Sequence, residues 1–390
     1  MNEIEIAKNL NFDNLKKGSF EMKRISIAEP VFNGNEKKYL MECIDTGWVS
    51  ANGRFVTEFQ NKFAEYNGSK YAIACANGTV TLQLIIKAMH IGPGDEVIMP
   101  TLTYVATANA VVNSGATPVF VDVDPNTWNV DPEAVEMAIT HNTRAIIPVH
   151  LYGLACNMSA LMDISNRYGI PIIEDTAEAH GAKWEGKKVG SIGKVGSFSF
   201  FGNKIITCGE GGMILTNDDD LYKSLTMLRS QGVDPHKRYW HIIRGYNYRM
   251  TNMQAAVGLG QLENINWHIN ERKRVAKIYK KLISEKLGDY VKMQKVDNEE
   301  NHVYWMTCIT LNENVKKERD EIMAEMEEKN IEMRPMFYPM HIMPVYRDNS
   351  LKLPVAEKLA KTGICLPSHS KLNEETLAYI IDSLAKIIKG

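Results

Sequence analysis

Residues 170–175, IPIIED, and residues 196–204, GSFSFFGNK, are two short runs rich in Ile or Phe, and each ends in side chains able to carry chemistry. Such runs, several of them apolar throughout, are typical of strands in a parallel sheet that helices cover on both faces. Helical patterns separate most of them, so the sequence predicts an α/β fold with a mostly parallel seven-stranded sheet flanked by helices. The predicted strands cover residues 71–75, 96–99, 118–122, 144–149, 170–174, 196–201 and 212–216.

The length and composition exclude several classes of protein. A chain of 390 residues is longer than one hydrophobic core usually organises, so we expect two domains. The formal net charge of −2 gives no overall positive field for nucleic acid or anionic lipid. The six cysteines form no CxxC pair, which argues against a disulfide framework and a zinc site. We therefore expect reduced, mostly buried thiols and no metal.

The sequence suggests three parts of the chain: an N-terminal extension, a large domain and a smaller C-terminal domain. Residues 1–24 are polar and lack the apolar core of a secretory signal, so they are expected to be an extension, or translation starts at Met22. No run reaches about 18 apolar residues, and the cytoplasm is the expected compartment. Residues 25–260 are predicted to form the large α/β domain, and residues 261–390 a linking helix and a smaller C-terminal α+β domain. Predicted elements around and beyond that boundary are one long helical stretch (252–287), a strand (302–311), a helix (316–329) and a terminal helix from about Glu374.

An aromatic stripe at helical spacing occurs before the first strand. Phe55, Phe59, Phe63 and Tyr66 recur at intervals of three or four residues. The pattern predicts the core-facing side of a helix and carries no chemistry.

Glu174 and Asp175 end a predicted buried strand. Ligands bind at the carboxyl ends of strands in α/β sheets. Successive strand residues point to opposite faces, so only one of the two acids can enter a given pocket. A buried carboxylate needs a positive partner, such as a protonated ring nitrogen, an arginine or a metal. Taken alone, the pair is more often a helix cap or a structural salt bridge.

Lys204 follows an aromatic strand and a Gly-Asn turn. Removal from water beside aromatic rings disfavours the ammonium form and lowers a lysine pKa, which suits a Schiff-base amine. The ordinary alternative is a solvated surface lysine.

Asn77, Gly78 and Thr79 lie between a predicted strand and a predicted helix. A strand, a glycine turn, a hydroxyl and a helix start together present free backbone N–H groups, which suits a phosphate. Helix capping by Thr79 would explain the same residues.

These three elements together are the parts that pyridoxal phosphate (PLP) requires: a phosphate anchor, an acid for the pyridine nitrogen and an amine. The chain also contains VHLYG (149–153), SFFGNK (199–204), GEGGM (209–213), RYW (238–240), YNYRMTN (246–252) and PMH (339–341). With these motifs it resembles, from about residue 25 to the C-terminus, the DegT/DnrJ/EryC1/StrS sugar aminotransferases, which are fold-type I PLP-dependent enzymes.

The resemblance implies roles for residues in the cofactor site. Lys204 would form the Schiff base and move the proton, and Asp175 would pair with the pyridinium nitrogen. Tyr104 would stack on the ring, and Glu178, where many relatives have Gln or His, would lie near the ring hydroxyl. The implied phosphate contacts are Gly78, Thr79 and Ser199, with Asn247 reaching across from a second subunit of a homodimer.

The resemblance also implies the reaction. L-Glutamate would donate its amino group to C4 of a nucleotide-linked 4-keto-6-deoxy sugar. The nearest subgroup makes GDP-perosamine from GDP-4-keto-6-deoxy-D-mannose, and O-antigen (lipopolysaccharide) biosynthesis is the process it suggests. Alternatives are a UDP- or dTDP-linked keto-hexose as acceptor, or a catalytically silent PLP-binding regulator.

Candidate substrate contacts have ordinary structural explanations as well. His150 and His180 are equally well explained as buried structural histidines. Arg249 and Arg334 are candidates for the donor carboxylate but resemble structural arginines, and Arg238 to Trp240 could pack at a subunit contact. The full set of candidate substrate contacts is Trp48, Arg238, Tyr239, Trp240, Arg249, Arg334 and His341.

Overall fold

The computed structural model describes residues 24–390, so the predicted N-terminal extension and the alternative start at Met22 lie outside the described residues, except for Arg24. Two helices precede the first strand, helices then alternate with strands as far as residue 175, and four further strands follow before the next helix, which ends at residue 229. The elements of this part are α1 (Glu36–Asp45), α2 (Arg54–Asn67), β1 (Tyr71–Cys75), α3 (Gly78–Ala88), β2 (Glu96–Pro100), α4 (Ala106–Val112), β3 (Thr117–Val121), α5 (Pro132–Met137), β4 (Thr143–Ile146), α6 (Met158–Tyr168), β5 (Ile173–Asp175), β6 (Lys183–Trp184), β7 (Lys187–Lys188), β8 (Val195–Ser199), β9 (Gly212–Thr216) and α7 (Asp219–Arg229).

Seven of these strands form one central sheet in the order β1-β9-β8-β5-β4-β2-β3. Its two parts, of four and three strands, are joined by parallel bridges between residues 146 and 172 and between residues 149 and 175. Strand β9 runs antiparallel to both neighbours, and the other strands are parallel to one another. The predicted mostly parallel seven-stranded sheet is therefore confirmed, and the carboxyl ends of β1, β2, β4, β5 and β8 lie at the same edge.

Helices cover both faces of this sheet. Phe59 and Phe63 of the aromatic stripe are buried, and their rings lie 5.1 and 5.4 Å from that of Phe200 in the centroid-to-centroid distance. A second apolar cluster on α3, α4 and α7 covers the other side. The stripe is thus core, as predicted, and all six cysteines are buried as well.

The C-terminal part begins with two consecutive helices and adds a small antiparallel sheet in the order β10-β11-β13-β12. An apolar cluster formed mainly by α9, α12 and this sheet is separate from those around the central sheet. The division into domains at residue 260 stays a prediction. The elements are α8 (Asn252–Glu263), α9 (Ile265–Lys286), β10 (Val291–Met293), β11 (Thr307–Leu311), α10 (Arg319–Glu327), β12 (Arg334–Pro335), α11 (Pro354–Thr362), β13 (Gly363–Leu366) and α12 (Glu374–Lys389).

Two predicted elements of this part are shorter than expected. The predicted helical stretch over 252–287 breaks at Asn264, whose N–H bonds to the Gln261 carbonyl in a tight turn that ends α8. The strand predicted over 302–311 begins only at residue 307, because Tyr304 has left-handed backbone (φ 51°). The residues before β11 therefore lie outside the small sheet, and they form a wall of the site described below.

Across residues 24–390, the helices are all too short or too polar to cross a membrane.

Glu174 and Asp175 of β5 point to opposite faces, as strand geometry predicts. Glu174 is fully buried and accepts hydrogen bonds from the backbone N–H groups of Gly190 (2.7 Å), Ile192 (2.8 Å) and Gly193 (2.6 Å). The His150 Nε2 atom lies 3.1 Å from the same carboxylate. Glu174 is thus the structural acid of the pair, and it fastens the loop before β8 to the centre of the sheet.

Replacing Glu174 by alanine should therefore destabilise the fold strongly. Glu174→Ala leaves buried donors without an acceptor, and we expect the free energy of unfolding to fall by about 3–5 kcal/mol. The free energy of unfolding of Glu174→Gln should lie between those of the original chain and Glu174→Ala. Urea unfolding followed by circular dichroism measures the change, with the exposed helical Glu285→Ala as control, expected to change by less than about 0.5 kcal/mol. A loss at Glu174 no larger than that of the control would contradict this role.

Candidate active site

A cavity of about 450 Å³ lies at the carboxyl edge of the central sheet. Its walls come from the segments that follow β1, β2, β4, β5 and β8, and from residues 305–306, 334–337 and 365 of the C-terminal part. The predicted site residues that line it are Gly78, Thr79, Tyr104, Asp175, Glu178, Ser199, Lys204 and Arg334.

One end of the cavity is the start of helix α3. The side chain of Asn77, not that of Thr79, caps this helix by accepting from the Val80 N–H (3.0 Å). A Cβ atom on Gly78 would lie 2.6 Å from the Cβ of Ser199, so the two segments approach as closely as glycine allows. Because Thr79 is not the cap, its hydroxyl and the backbone N–H groups of Gly78 and Thr79 are available to an anion.

Asp175 lies on the opposite face of β5 from Glu174 and lines the cavity. Its carboxylate accepts from the Thr107 hydroxyl (2.8 Å) and from the Ala177 N–H (3.2 Å). Burial raises the pKa of Asp175, while these two hydrogen bonds oppose that shift. Thr107, which the sequence analysis missed, orients the acid.

Lys204 follows β8 in a loop, and its side chain is 11% exposed. The Nζ atom lies 4.0 Å from Glu178 Oε1 and 3.8 Å from the ring centroid of Trp305. Burial lowers the pKa of Lys204, while Glu178 and then Asp175 oppose the shift. The amine is therefore closer to its neutral, nucleophilic form than that of a solvated lysine.

Glu178 is buried beside this amine. It accepts from the backbone N–H of Tyr152 (2.7 Å), and burial raises its pKa to about 7. Tyr152 has left-handed backbone (φ 55°), a costly conformation for a non-glycine residue that persists only where its surroundings enforce it. This conformation places the N–H on Glu178.

The ring of Tyr152 stacks between two rings of the C-terminal part. Trp305 lies 6.2 Å away at 12°, and Phe337 lies 5.5 Å away at 9°. Tyr104, which is 58% exposed at the mouth of the cavity, lies 6.1 Å from Phe337. The sequence analysis missed Tyr152, Trp305 and Phe337, because residues far apart in the chain meet only in the fold; the VHLYG motif was the one signal for Tyr152.

Several candidate contacts do not line the cavity of this chain. Asn247 is bonded to Arg249 through its side-chain oxygen (3.3 and 3.2 Å). Four further candidates also lie outside the lining of the cavity, and three of them have exposed aromatic rings. These four residues are Trp48, Arg238, Tyr239 and Trp240.

The buried ring of His341 does not line the cavity, and its contact with substrate stays a prediction. His341 is 1% exposed, with Nδ1 2.8 Å from the Thr101 hydroxyl and Nε2 3.1 Å from Glu357. Both ring nitrogens are therefore occupied. His150 and His180 are fully buried too, as the structural explanation predicted.

Comparisons with known proteins agree on one family. The model of the DegT/DnrJ/EryC1/StrS aminotransferase family matches residues 31–385. The GDP-perosamine synthase of Caulobacter vibrioides is 49% identical over 369 residues, which are 94% of this chain and 99% of that protein. That of Escherichia coli O157:H7 is 45% identical, covering 93% of this chain and 98% of that protein. The solved structure of S. venezuelae DesV, in complex with a ketimine intermediate, matches with a TM-score of 0.85 and 31% identity, covering 91% of this chain and 95% of that chain.

The raised pKa of Glu178 predicts a pH-dependent stability. Between its ordinary value of 4.5 and about 7, the folded chain holds a proton that the unfolded chain releases, so the free energy of unfolding falls as pH rises. Glu178→Gln removes this contribution. Its stability relative to the original chain should therefore rise by about 2–3 kcal/mol between pH 4.5 and pH 7.5.

Urea unfolding of the chain without ligand, at several pH values, measures this difference. Glu285→Gln on the exposed face of α9 is the control and should give a constant difference. A constant difference for Glu178→Gln as well would show that Glu178 ionises like an exposed glutamate.

Proposed function

The chain belongs to the DegT/DnrJ/EryC1/StrS aminotransferase family, and on this premise we propose that it transfers the amino group of L-glutamate to C4 of GDP-4-keto-6-deoxy-D-mannose, giving GDP-perosamine. It is a PLP-dependent sugar aminotransferase. The observation that carries the choice of acceptor is the 49% identity to a GDP-perosamine synthase over almost the whole of both chains.

The residues of the cavity fit PLP. The start of α3 offers N–H groups and the Thr79 hydroxyl to a phosphate, and the close approach of Gly78 and Ser199 brings the Ser199 hydroxyl to the same end of the cavity. Asp175 is a buried acid with no cationic side chain among its hydrogen-bond partners in the described chain, which suits a protonated ring nitrogen. Lys204 offers a partly desolvated amine. When bound, PLP supplies an electron sink and carries the amino group between donor and acceptor.

Lys204 and Asp175 are the proposed catalytic residues. The Lys204 Nζ atom would hold the cofactor and would serve as the base and acid for the proton that moves in the reaction, a task that its lowered pKa suits. Asp175 keeps the proton on the ring nitrogen, since a carboxylate beside it stabilises the charged ring. Thr107 holds Asp175 in this orientation.

Glu178 and Tyr104 complete the proposed cofactor contacts. Glu178 faces the amine at 4.0 Å and, with a pKa of about 7, is able to hold or release a proton near the ring hydroxyl. Tyr104 lies at the mouth, where its ring can cover the cofactor.

A homodimer would supply the contacts that one chain lacks. Asn247 does not line the cavity of its own chain, so we propose that it serves the phosphate of a second subunit. The exposed rings of Trp48, Tyr239 and Trp240 fit a subunit contact beside the sugar nucleotide, because large exposed aromatic groups mark interfaces. Arg238 and Arg249 would contact the substrate from the same surface.

Arg334 is the proposed contact of the donor carboxylate. It lines the cavity, and its guanidinium is bonded to Glu332 (3.1 and 3.2 Å).

We also propose the division into a large domain up to residue 260 and a smaller one after it, which places Arg334 and Lys204 on different domains. The cytoplasm is the proposed compartment, because buried reduced thiols fit a reducing environment.

The first test is the reaction with glutamate alone. Protein loaded with PLP should show the visible absorption band of the lysine-bound cofactor, and L-glutamate without any sugar should bleach it. Lys204→Ala should lose the band and all turnover while keeping its circular dichroism spectrum. Lys188→Ala is the matched control and should keep both the band and the turnover. Lys188 also lies over an aromatic ring (Tyr66, 3.8 Å) and has a pKa lowered by burial, but it does not line the cavity. Absence of the band, or a band that glutamate leaves unchanged, would refute the aminotransferase reaction.

The second test identifies the acceptor. GDP-, UDP- and dTDP-linked 4-keto-6-deoxyhexoses are offered with glutamate, and amino-sugar product is measured by mass spectrometry. We expect kcat/KM for the GDP-linked mannose derivative to exceed the others by about 100-fold or more, as for sites that hydrogen-bond a distinguishing group. Preference for a UDP- or dTDP-linked sugar would overturn the acceptor while leaving the reaction class intact.

A further inference from the structure

Arg272 of helix α9 is a buried cation without an acidic partner. It is 8% exposed, and no carboxylate lies within 4.0 Å of it among residues 24–390. Burial lowers its pKa to about 10. A charge removed from water without a counter-charge destabilises a fold, so its presence calls for a role that packing alone does not give.

Its hydrogen bonds reach the backbone of the catalytic loop. One guanidinium nitrogen donates to the Lys204 carbonyl (3.1 Å), and another donates to the Ser368 carbonyl (2.5 Å). The guanidinium thus joins the peptide of the reactive lysine to the segment that follows β13.

The loop that carries Lys204 has little regular structure to hold it. Residue 204 lies between β8 and β9, outside any helix or strand. The Lys204 N–H bonds to the Phe201 carbonyl (2.9 Å), and Trp305 Nε1 donates to the Asn203 carbonyl (2.8 Å). Arg272 adds a hydrogen bond to the Lys204 carbonyl, so both backbone polar groups of residue 204 are bonded.

We propose that Arg272 is a positioning residue that holds the Lys204 peptide so that Nζ stays between Glu178 and Trp305. The inference rests on the proposed function, in which Lys204 carries the reacting proton. Displacement of a catalytic group by about 1 Å can cost about 100-fold in rate, and a rigid charged fork with two fixed acceptors restricts such displacement.

Arg274, two residues further along α9, provides a matched control. It donates to the carbonyls of Ser370 (3.1 Å) and Leu372 (2.9 Å), in the segment that also accepts from Arg272, but it does not contact Lys204. Arg274→Met therefore removes the hydrogen bonds of an arginine to that segment, but it does not change the contacts of the loop that carries Lys204.

The experiment compares Arg272→Met, Arg272→Lys and Arg274→Met by two measurements. Hydrogen exchange of the chain without cofactor reports the order of residues 200–208. Stopped-flow bleaching by glutamate reports kcat and KM for the half-reaction. For Arg272→Met we expect about tenfold faster exchange confined to that peptide and a kcat about 10- to 100-fold lower, with KM changed less than about threefold. Arg272→Lys keeps the charge but replaces the two guanidinium nitrogens by a single ammonium nitrogen, so it should give intermediate values, and it covers the case in which the methionine variant does not fold.

Arg274→Met should match the original chain in both measurements. Equal losses in Arg274→Met would show that Arg272 only joins α9 to the C-terminal segment, and unchanged exchange and kcat in Arg272→Met would refute the positioning role. If the original chain does not react with glutamate, the proposed function fails, whereas the exchange measurement still decides whether Arg272 orders the loop.

Discussion

The placement of one amine out of water is the constraint on which this structure depends. Lys204 Nζ is held among Glu178, Asp175 and the face of Trp305, where burial disfavours its charge and the two acids favour it. Asp175 ends β5, Glu178 follows it, and Trp305 belongs to the C-terminal part, so the central sheet alone cannot build the site. The end of β5 places the two acids at the carboxyl edge of the sheet, and the residues before β11 supply the aromatic ring.

The parts that the sequence predicted are those that local patterns determine. Buried parallel strands are short apolar runs, and all seven were found near their predicted positions. The alternation of side chains along a strand required Glu174 and Asp175 to face opposite ways, and they do. The lysine was recognisable because an aromatic strand leads to it.

The parts that escaped prediction depend on residues distant in the chain or on single backbone angles. Trp305 meets Lys204 only through packing, and the predicted strand that contained it is interrupted by left-handed backbone at Tyr304. The strain at Tyr152 cannot be read from composition, because the surrounding stack enforces it. The hydrogen bonds of the His341 ring with Thr101 and Glu357 likewise form only in the fold.

The contact between Gly78 and Ser199 has a consequence for how such a scaffold can change over time. Any side chain at residue 78 would collide with the neighbouring strand end, so the end of the cavity proposed to hold the phosphate cannot be altered there without moving the backbone. The opposite wall is built from side chains of the C-terminal part, such as Arg334 and Phe337, which substitutions can reshape individually. New acceptor preferences can therefore arise by exchange of wall residues while the machinery that handles the amino group is inherited unchanged.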